Sequence, residues 1–140
     1  MTQPRVYNAA LQLDRTREKR RLTGITHAAV VREAMHEFSR THAQVFVWLA
    51  MPDHIHVLFS PRRPLKNLDQ FVGRVKRMIN RGLARRGMHK MQWRDGIVNH
   101  AVSWETAPAA REYILQNPVR GQLVARPELW PHAETPELLP

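Results

Sequence analysis

The stretch Gln44-Val45-Phe46-Val47-Trp48-Leu49-Ala50-Met51-Pro52-Asp53-His54-Ile55-His56-Val57-Leu58-Phe59-Ser60-Pro61 decides the architecture. Two runs rich in β-branched and aromatic residues, Val45 to Ala50 and His54 to Ser60, flank Met51-Pro52-Asp53, where proline and aspartate favour a turn. A β-hairpin is predicted. Alternate side chains of a strand point the same way, so His54, His56 and Leu58 share one face. Ile55, Val57 and Phe59 share the other and suit a core. Two imidazoles about 7 Å apart along a rigid strand can pinch a divalent cation. A His-X-His pair alone is weak evidence, because most such pairs are coincidental.

Upstream of the hairpin, Arg5 to Leu13 has the composition of an opening strand. A basic, turn-like segment follows from Asp14 to Gly24. Thr26 can cap a helix whose apolar positions Ala29, Val30, Ala34 and Phe38 recur at helical spacing through Thr41.

Downstream, Pro64 and Leu65 lead into a second helix with Asn67 or Asp69 near its start. Leu68, Phe71, Val72, Val75, Ile79 and Leu83 fall on one side, and Arg74, Arg77, Arg81 and Arg85 on the other. Gly82 and Gly87 weaken the end of that helix. Gln92 to Ser103 returns to a strand pattern around Ile97 and Val98. Thr106 to Ala110 starts a third helix, and Pro118 ends or kinks it. A short helical piece is expected over Val119 to Ala125. The order strand, helix, hairpin, helix, strand, helix predicts an α+β sandwich, an antiparallel sheet with helices packed on one face. The expected division is one domain over residues 1–126 and an extended tail over 127–140, which holds four prolines in fourteen residues.

Charge points to the partner. The 140 residues carry 22 Lys+Arg against 12 Asp+Glu, a formal net charge of +10. Eleven of those basic residues lie between Arg62 and Arg94, with Asp69 the one acid among them. Such a block favours a polyanion, nucleic acid first. On a helix it is either a solvated surface or a ridge that tracks phosphates, and Arg74, Lys76, Arg77 and Arg81 are the candidates. Trp48, Trp93 and Trp104 could stack on bases or pack in the core. With no cysteine there is no disulfide and no thiolate site, so a metal would need His, carboxylate, amide or hydroxyl ligands. No apolar run approaches the ~18 residues of a membrane span, and no basic-then-apolar leader opens the chain. A cytoplasmic, nucleoid-associated protein is expected.

A second cluster is Tyr113 with Gln116, Asn117 and Pro118. Residues 113 and 117 stack one turn apart on a helix. A phenol can attack a phosphodiester beside a metal, and the amide of Asn117 or Gln116 could join two histidines as a ligand. Alone, the cluster reads first as a half-buried packing tyrosine and a C-cap asparagine.

Together the two sites are more specific. Met51-Pro52-Asp53-His54-Ile55-His56-Val57-Leu58 and Tyr113-Ile114-Leu115-Gln116-Asn117-Pro118-Val119-Arg120 resemble the paired signatures of the REP-associated tyrosine transposases, single-tyrosine HUH enzymes related to small insertion-sequence transposases. The resemblance runs over most of the chain, through the helix carrying Lys76 and Trp93-Arg94-Asp95-Gly96. It implies a ferredoxin-like fold with four or five antiparallel strands. It implies that His54, His56 and Asn117 bind Mg²⁺ or Mn²⁺, with Tyr113 the nucleophile and Gln116 and Arg120 accessory candidates. The implied substrate is single-stranded or hairpin DNA such as a palindromic repeat, cut and rejoined through a 5′-phosphotyrosine by a monomer or homodimer.

Departures are local. Where the family continues Ala-Gly-Leu-Val, this chain has Gly121-Gln122-Leu123-Val124. Its opening strand lacks a Tyr-His-Val pattern, and Arg15 to Arg21 is unusually basic. The alternatives are a replication-initiator or relaxase-like HUH enzyme, a DNA-binding module that has lost catalysis, and a histidine-triad nucleotide hydrolase. The last would want a third alternate histidine where Leu58 stands.

Overall fold

The computed structural model describes residues 5–140. In chain order it contains β1 (Val6–Gln12), α1 (Ile25–Thr41), β2 (Ala43–Met51), β3 (His54–Pro61), α2 (Leu68–Arg85), β4 (Val98–Val102), α3 (Ala107–Leu115), α4 (Asn117–Arg120), a 3-10 turn (Pro127–Leu129) and β5 (Ala133–Glu134). The strands form one sheet in the order β4-β1-β3-β2-β5, and every neighbouring pair is antiparallel. The first six elements make the split βαββαβ arrangement, so the expected α+β fold is present.

The hairpin sets the register. Ile55, Val57 and Phe59 of β3 point into a core shared with Ala9, Leu11 and Leu13 of β1 and with the apolar sides of α1 and α2. Leu58 faces the opposite way and joins a second core with Val6, Phe46, Leu49, Ala107 and Ile114. A register shift between Val45 and Val47 lets β2 serve both cores. Val45 and Trp48 point to the first, Phe46 and Val47 to the second.

One feature goes beyond the expected single helical layer. The long helices α1 and α2 share one face, but α3 lies on the other, against β2 and β3. The physical reason is that Phe46, Leu49 and Leu58 give this face an apolar half that needs a cover. Its other half, over β1 and β4, stays open: Val98 is 62% exposed, and His100 is also exposed.

Local chemistry explains most boundaries. Asn67 caps α2, its side-chain oxygen accepting from the Gln70 amide at 3.0 Å. Thr26 does not cap α1: Gly24 holds that position, without a side-chain bond. Gly82 of α2 faces Val30 of α1 closely, and a Cβ there would meet Val30 Cγ1 at 2.9 Å. The short α4 ends in a Schellman turn, with Leu123 N–H donating to the Pro118 carbonyl at 2.9 Å and Gln122 N–H to the Val119 carbonyl at 3.0 Å. Gln122 takes the left-handed conformation of that turn, at φ 60°.

The stretch from residue 14 to 22 is anchored from beneath. Glu18 is only 3% exposed. Its carboxylate accepts from Arg20 Nε at 2.9 Å and from the Gln92 amide at 2.9 Å. Arg20 in turn donates to the carbonyls of His89 and Lys90. The tail docks on the sheet, with β5 pairing with β2 and the Trp130 indole N–H donating to the Ala50 carbonyl at 3.0 Å.

Candidate functional site

Three side chains converge at the start of β3. His54 Nε2 and His56 Nε2 lie 3.1 Å apart. The Asn117 amide lies 2.7 Å from His56 Nε2. The strand explains the histidine pair, and the second core explains Asn117: Ile114 and Ala107 dock α3 beside Leu58, which carries the following turn over β3. Gln116 keeps helical geometry (φ −80°, ψ −7°), so α3 runs almost directly into α4. Pro118 brings no N–H to the helical ladder, consistent with the break at this point.

The donor set fits a divalent cation. Two ligand atoms about 2.1 Å from a metal and at right angles to one another are about 3 Å apart, which matches the spacing of the two Nε2 atoms. The Asn117 amide can present its oxygen to the same point by a 180° flip. Asp53 Oδ1 sits 2.7 Å from His54 Nδ1. That contact holds the proton on Nδ1 and turns the Nε2 lone pair toward His56, as carboxylates behind metal-binding histidines do. Burial first, then the electrostatic influence of the neighbouring His54 ring and the Arg120 guanidinium, drives the His56 pKa down to about 4. The ring is therefore neutral and able to coordinate at physiological pH. Among the described residues no three His, Asp or Glu side chains gather as a metal site, so the amide is needed to complete a triad.

Tyr113 is 66% exposed, with its ring outside both cores. The Arg120 guanidinium lies over that ring, 3.8 Å from its centroid. Arg120 thus touches Tyr113 on one side and influences His56 on the other. Gln116 is exposed, and its backbone carbonyl accepts from the amides of Val119 and Arg120.

The basic helix is elsewhere. Arg74, Arg77 and Arg81 are exposed on the outer side of α2. The inner side of α2 packs on the core of Ile55, Val57 and Phe59, so the arginines lie across the sheet from the histidines. Lys76 is turned away from this ridge. Its Nζ donates to the carbonyls of Arg94 at 2.8 Å and Gly96 at 2.9 Å and sits 6.0 Å from the Trp93 ring. Trp48 is buried, Trp93 packs against the first core and Trp104 makes an edge contact with Phe46.

Two site residues were not singled out in the sequence. Asp53 reads as a turn former, although a carboxylate directly before a histidine is a signal that could have been used. Gln12 pairs with His54 across β1 and β3, and only the sheet register reveals it.

No protein-family model matches the sequence, and no curated protein matches it significantly. The fold does have solved counterparts. A REP-associated tyrosine transposase bound to a REP hairpin superposes with a TM-score of 0.73 at 18% identity, covering 94% of this chain and 77% of that one. A candidate transposase from Deinococcus radiodurans R1 superposes with a TM-score of 0.57 at 15% identity, covering 81% of this chain and 91% of that one. At these identities the likeness establishes a common fold. No helix among the described residues is long and apolar enough to cross a membrane.

Proposed function

We propose that this chain is a single-tyrosine transposase of the REP-associated type, which nicks and rejoins single-stranded DNA bearing a hairpin. The observation that carries the proposal is the convergence of His54, His56 and Asn117 (contacts of 3.1 and 2.7 Å), with an exposed tyrosine one helical turn before the asparagine. The fold shared with a transposase bound to a REP hairpin supports the choice of DNA.

The two histidines and the Asn117 amide would hold Mg²⁺ or Mn²⁺. When bound, the cation supplies positive charge to the oxygens of the scissile phosphate. The Tyr113 phenol gives its proton to solvent and its oxygen forms a bond to phosphorus. The bond from phosphorus to the 3′-oxygen breaks, and that oxygen leaves as a hydroxyl after taking up a proton. A 5′-phosphotyrosine remains, and an incoming 3′-hydroxyl reverses the exchange. Arg120, stacked on the phenol ring, places a positive charge beside the reacting group. The ridge of Arg74, Arg77 and Arg81 attracts the flanking polynucleotide without reading its sequence.

The test is a nicking assay on end-labelled hairpin and single-stranded oligonucleotides with Mn²⁺. Wild type is expected to cut near the hairpin, and Tyr113→Phe to bind but not cut. Equal cutting by Tyr113→Phe would refute the assignment.

A further inference from the structure

A cavity of about 400 Å³ opens beside the histidine pair, lined by Gln12, Asp14, Thr16, Asp53, His54 and Arg94 among others. Its volume is in the range of clefts that take small ligands. Its walls are fixed by backbone. The Arg94 amide donates to the Gln12 carbonyl at 2.8 Å, and the Asp14 amide to the Gln92 carbonyl at 2.9 Å. The same stretch is held by the ion pair of buried Glu18 with half-buried Arg20.

The polar groups are unequally engaged. Arg94 Nη1 donates to Gln12 Oε1 at 2.9 Å, which leaves the remaining guanidinium N–H groups and the Gln12 amide N–H₂ available. Asp14 Oδ1 accepts from the Thr16 amide at 3.1 Å and hydroxyl at 2.7 Å, and the Arg17 amide also faces the carboxylate, whose two oxygens keep lone pairs to spare for a ligand. Carboxylates of Asp14 and Asp53 offset the local cations, so the cavity does not favour a bare phosphate. It offers a fork of donors and a carboxylate within one rigid cleft, next to the point where a scissile phosphate would lie.

Resting on the single-strand assignment above, we propose that this cavity is a nucleobase-reading pocket for a nucleotide flanking the cleaved bond, and that it selects guanine. Guanine alone presents two adjacent N–H donors, N1–H and N2–H, to a carboxylate, and two adjacent acceptors, O6 and N7, to a guanidinium. Asp14 takes the donor edge and Arg94 the acceptor edge. Thr16 holds the Asp14 carboxylate in place, and Gln12 does the same for Arg94. Adenine and thymine each leave one of the two charged groups unmatched, which is costly in a cleft.

The experiment measures binding without cleavage. Fluorescein-labelled dT tracts carrying a single dG, dA, dC or deoxyinosine are titrated with the intact protein in metal-free buffer containing chelator, with anisotropy as the readout. The dG oligonucleotide is expected to bind on the order of tenfold tighter than all-dT. Deoxyinosine, which lacks the N2 amine, should lose most of that gain. Asp14→Asn and Arg94→Gln should each bring the dG and all-dT oligonucleotides to equal affinity, whatever the change in overall binding. Equal affinity of wild type for every oligonucleotide overturns the pocket, as does a dG preference that survives both substitutions. The deoxyinosine arm uses wild type alone, so it decides the matter even if a variant fails to fold. Loss of guanine preference with retained nicking sinks only the pocket. Guanine preference without nicking sinks only the catalytic assignment.

Discussion

Asn117 and His56 lie 61 positions apart in sequence, yet the amide of one stands 2.7 Å from the imidazole of the other. The contact joins the helical turn after α3 to the first residues of β3. It makes a triad from two motifs that are weak when separate. Asp53 completes it from behind by fixing the tautomer of His54.

Asp53→Ala therefore tests orientation apart from ligation. The substitution leaves both histidines and Asn117 in place but frees the His54 ring. Mn²⁺ affinity measured by titration calorimetry should fall about 10- to 100-fold, with little change in thermal stability of the metal-free protein. Unchanged affinity would show that the carboxylate has no role in positioning.

Gln122 occupies a left-handed conformation at φ 60°, where the transposases that this sequence resembles carry glycine one residue later than this chain does. A side chain in that conformation costs about 1 kcal/mol relative to glycine. Gln122→Gly should raise unfolding free energy by that amount in urea titrations.

Acid should loosen the loop from residue 14 to 22. Burial alone would push the Glu18 carboxyl up, but bonds from the Arg20 side chain and from the Gln92 and Arg20 amides outweigh it and hold the pKa at about 2. The folded value lies below the unfolded value of 4.5. The stabilisation is thus complete above pH 4.5 and is lost as pH falls from there toward 2, a change on the order of 3 kcal/mol. Denaturation curves of wild type should show this slope, and Glu18→Gln should flatten it while lowering stability at neutral pH.

Lys76 and the outer arginines should behave differently on DNA. Removing Arg74, Arg77 or Arg81 should weaken single-stranded DNA binding uniformly across sequences and reduce the slope of log K against log salt by roughly 0.7 per side chain. Lys76→Ala should leave that slope nearly unchanged. It should instead lower stability by about 1–2 kcal/mol, because its ammonium bonds tie α2 to the Arg94 and Gly96 carbonyls.

Much of this was legible in the sequence, for identifiable reasons. Alternation in the hairpin predicted both faces of β3, and the helical spacing of Val72, Val75, Ile79 and Leu83 predicted the buried side of α2. Periodicity reports which side of an element is apolar, and these residues are buried together. It does not report which face of a sheet a helix will cover, so α3 on the second face was not foreseen. That outcome depends on the register shift at Phe46, a two-residue event with no compositional mark. Gly82 was read as a weak point of a helix, whereas the close approach of Val30 shows a packing requirement. Lys76 shared a helix with the arginines in sequence, and only its rotation about the α2 axis separates their duties.

The most direct measurement is peptide mapping of the protein–DNA adduct by mass spectrometry after incubation with single-stranded hairpin DNA and Mn²⁺. The chain has two tyrosines, and the other, Tyr7, packs against Phe59 in the first core. The expected result is a nucleotide attached through phosphate to Tyr113 and absent from Tyr7. Cleavage with no adduct at Tyr113, or an adduct at another residue, would contradict the mechanism.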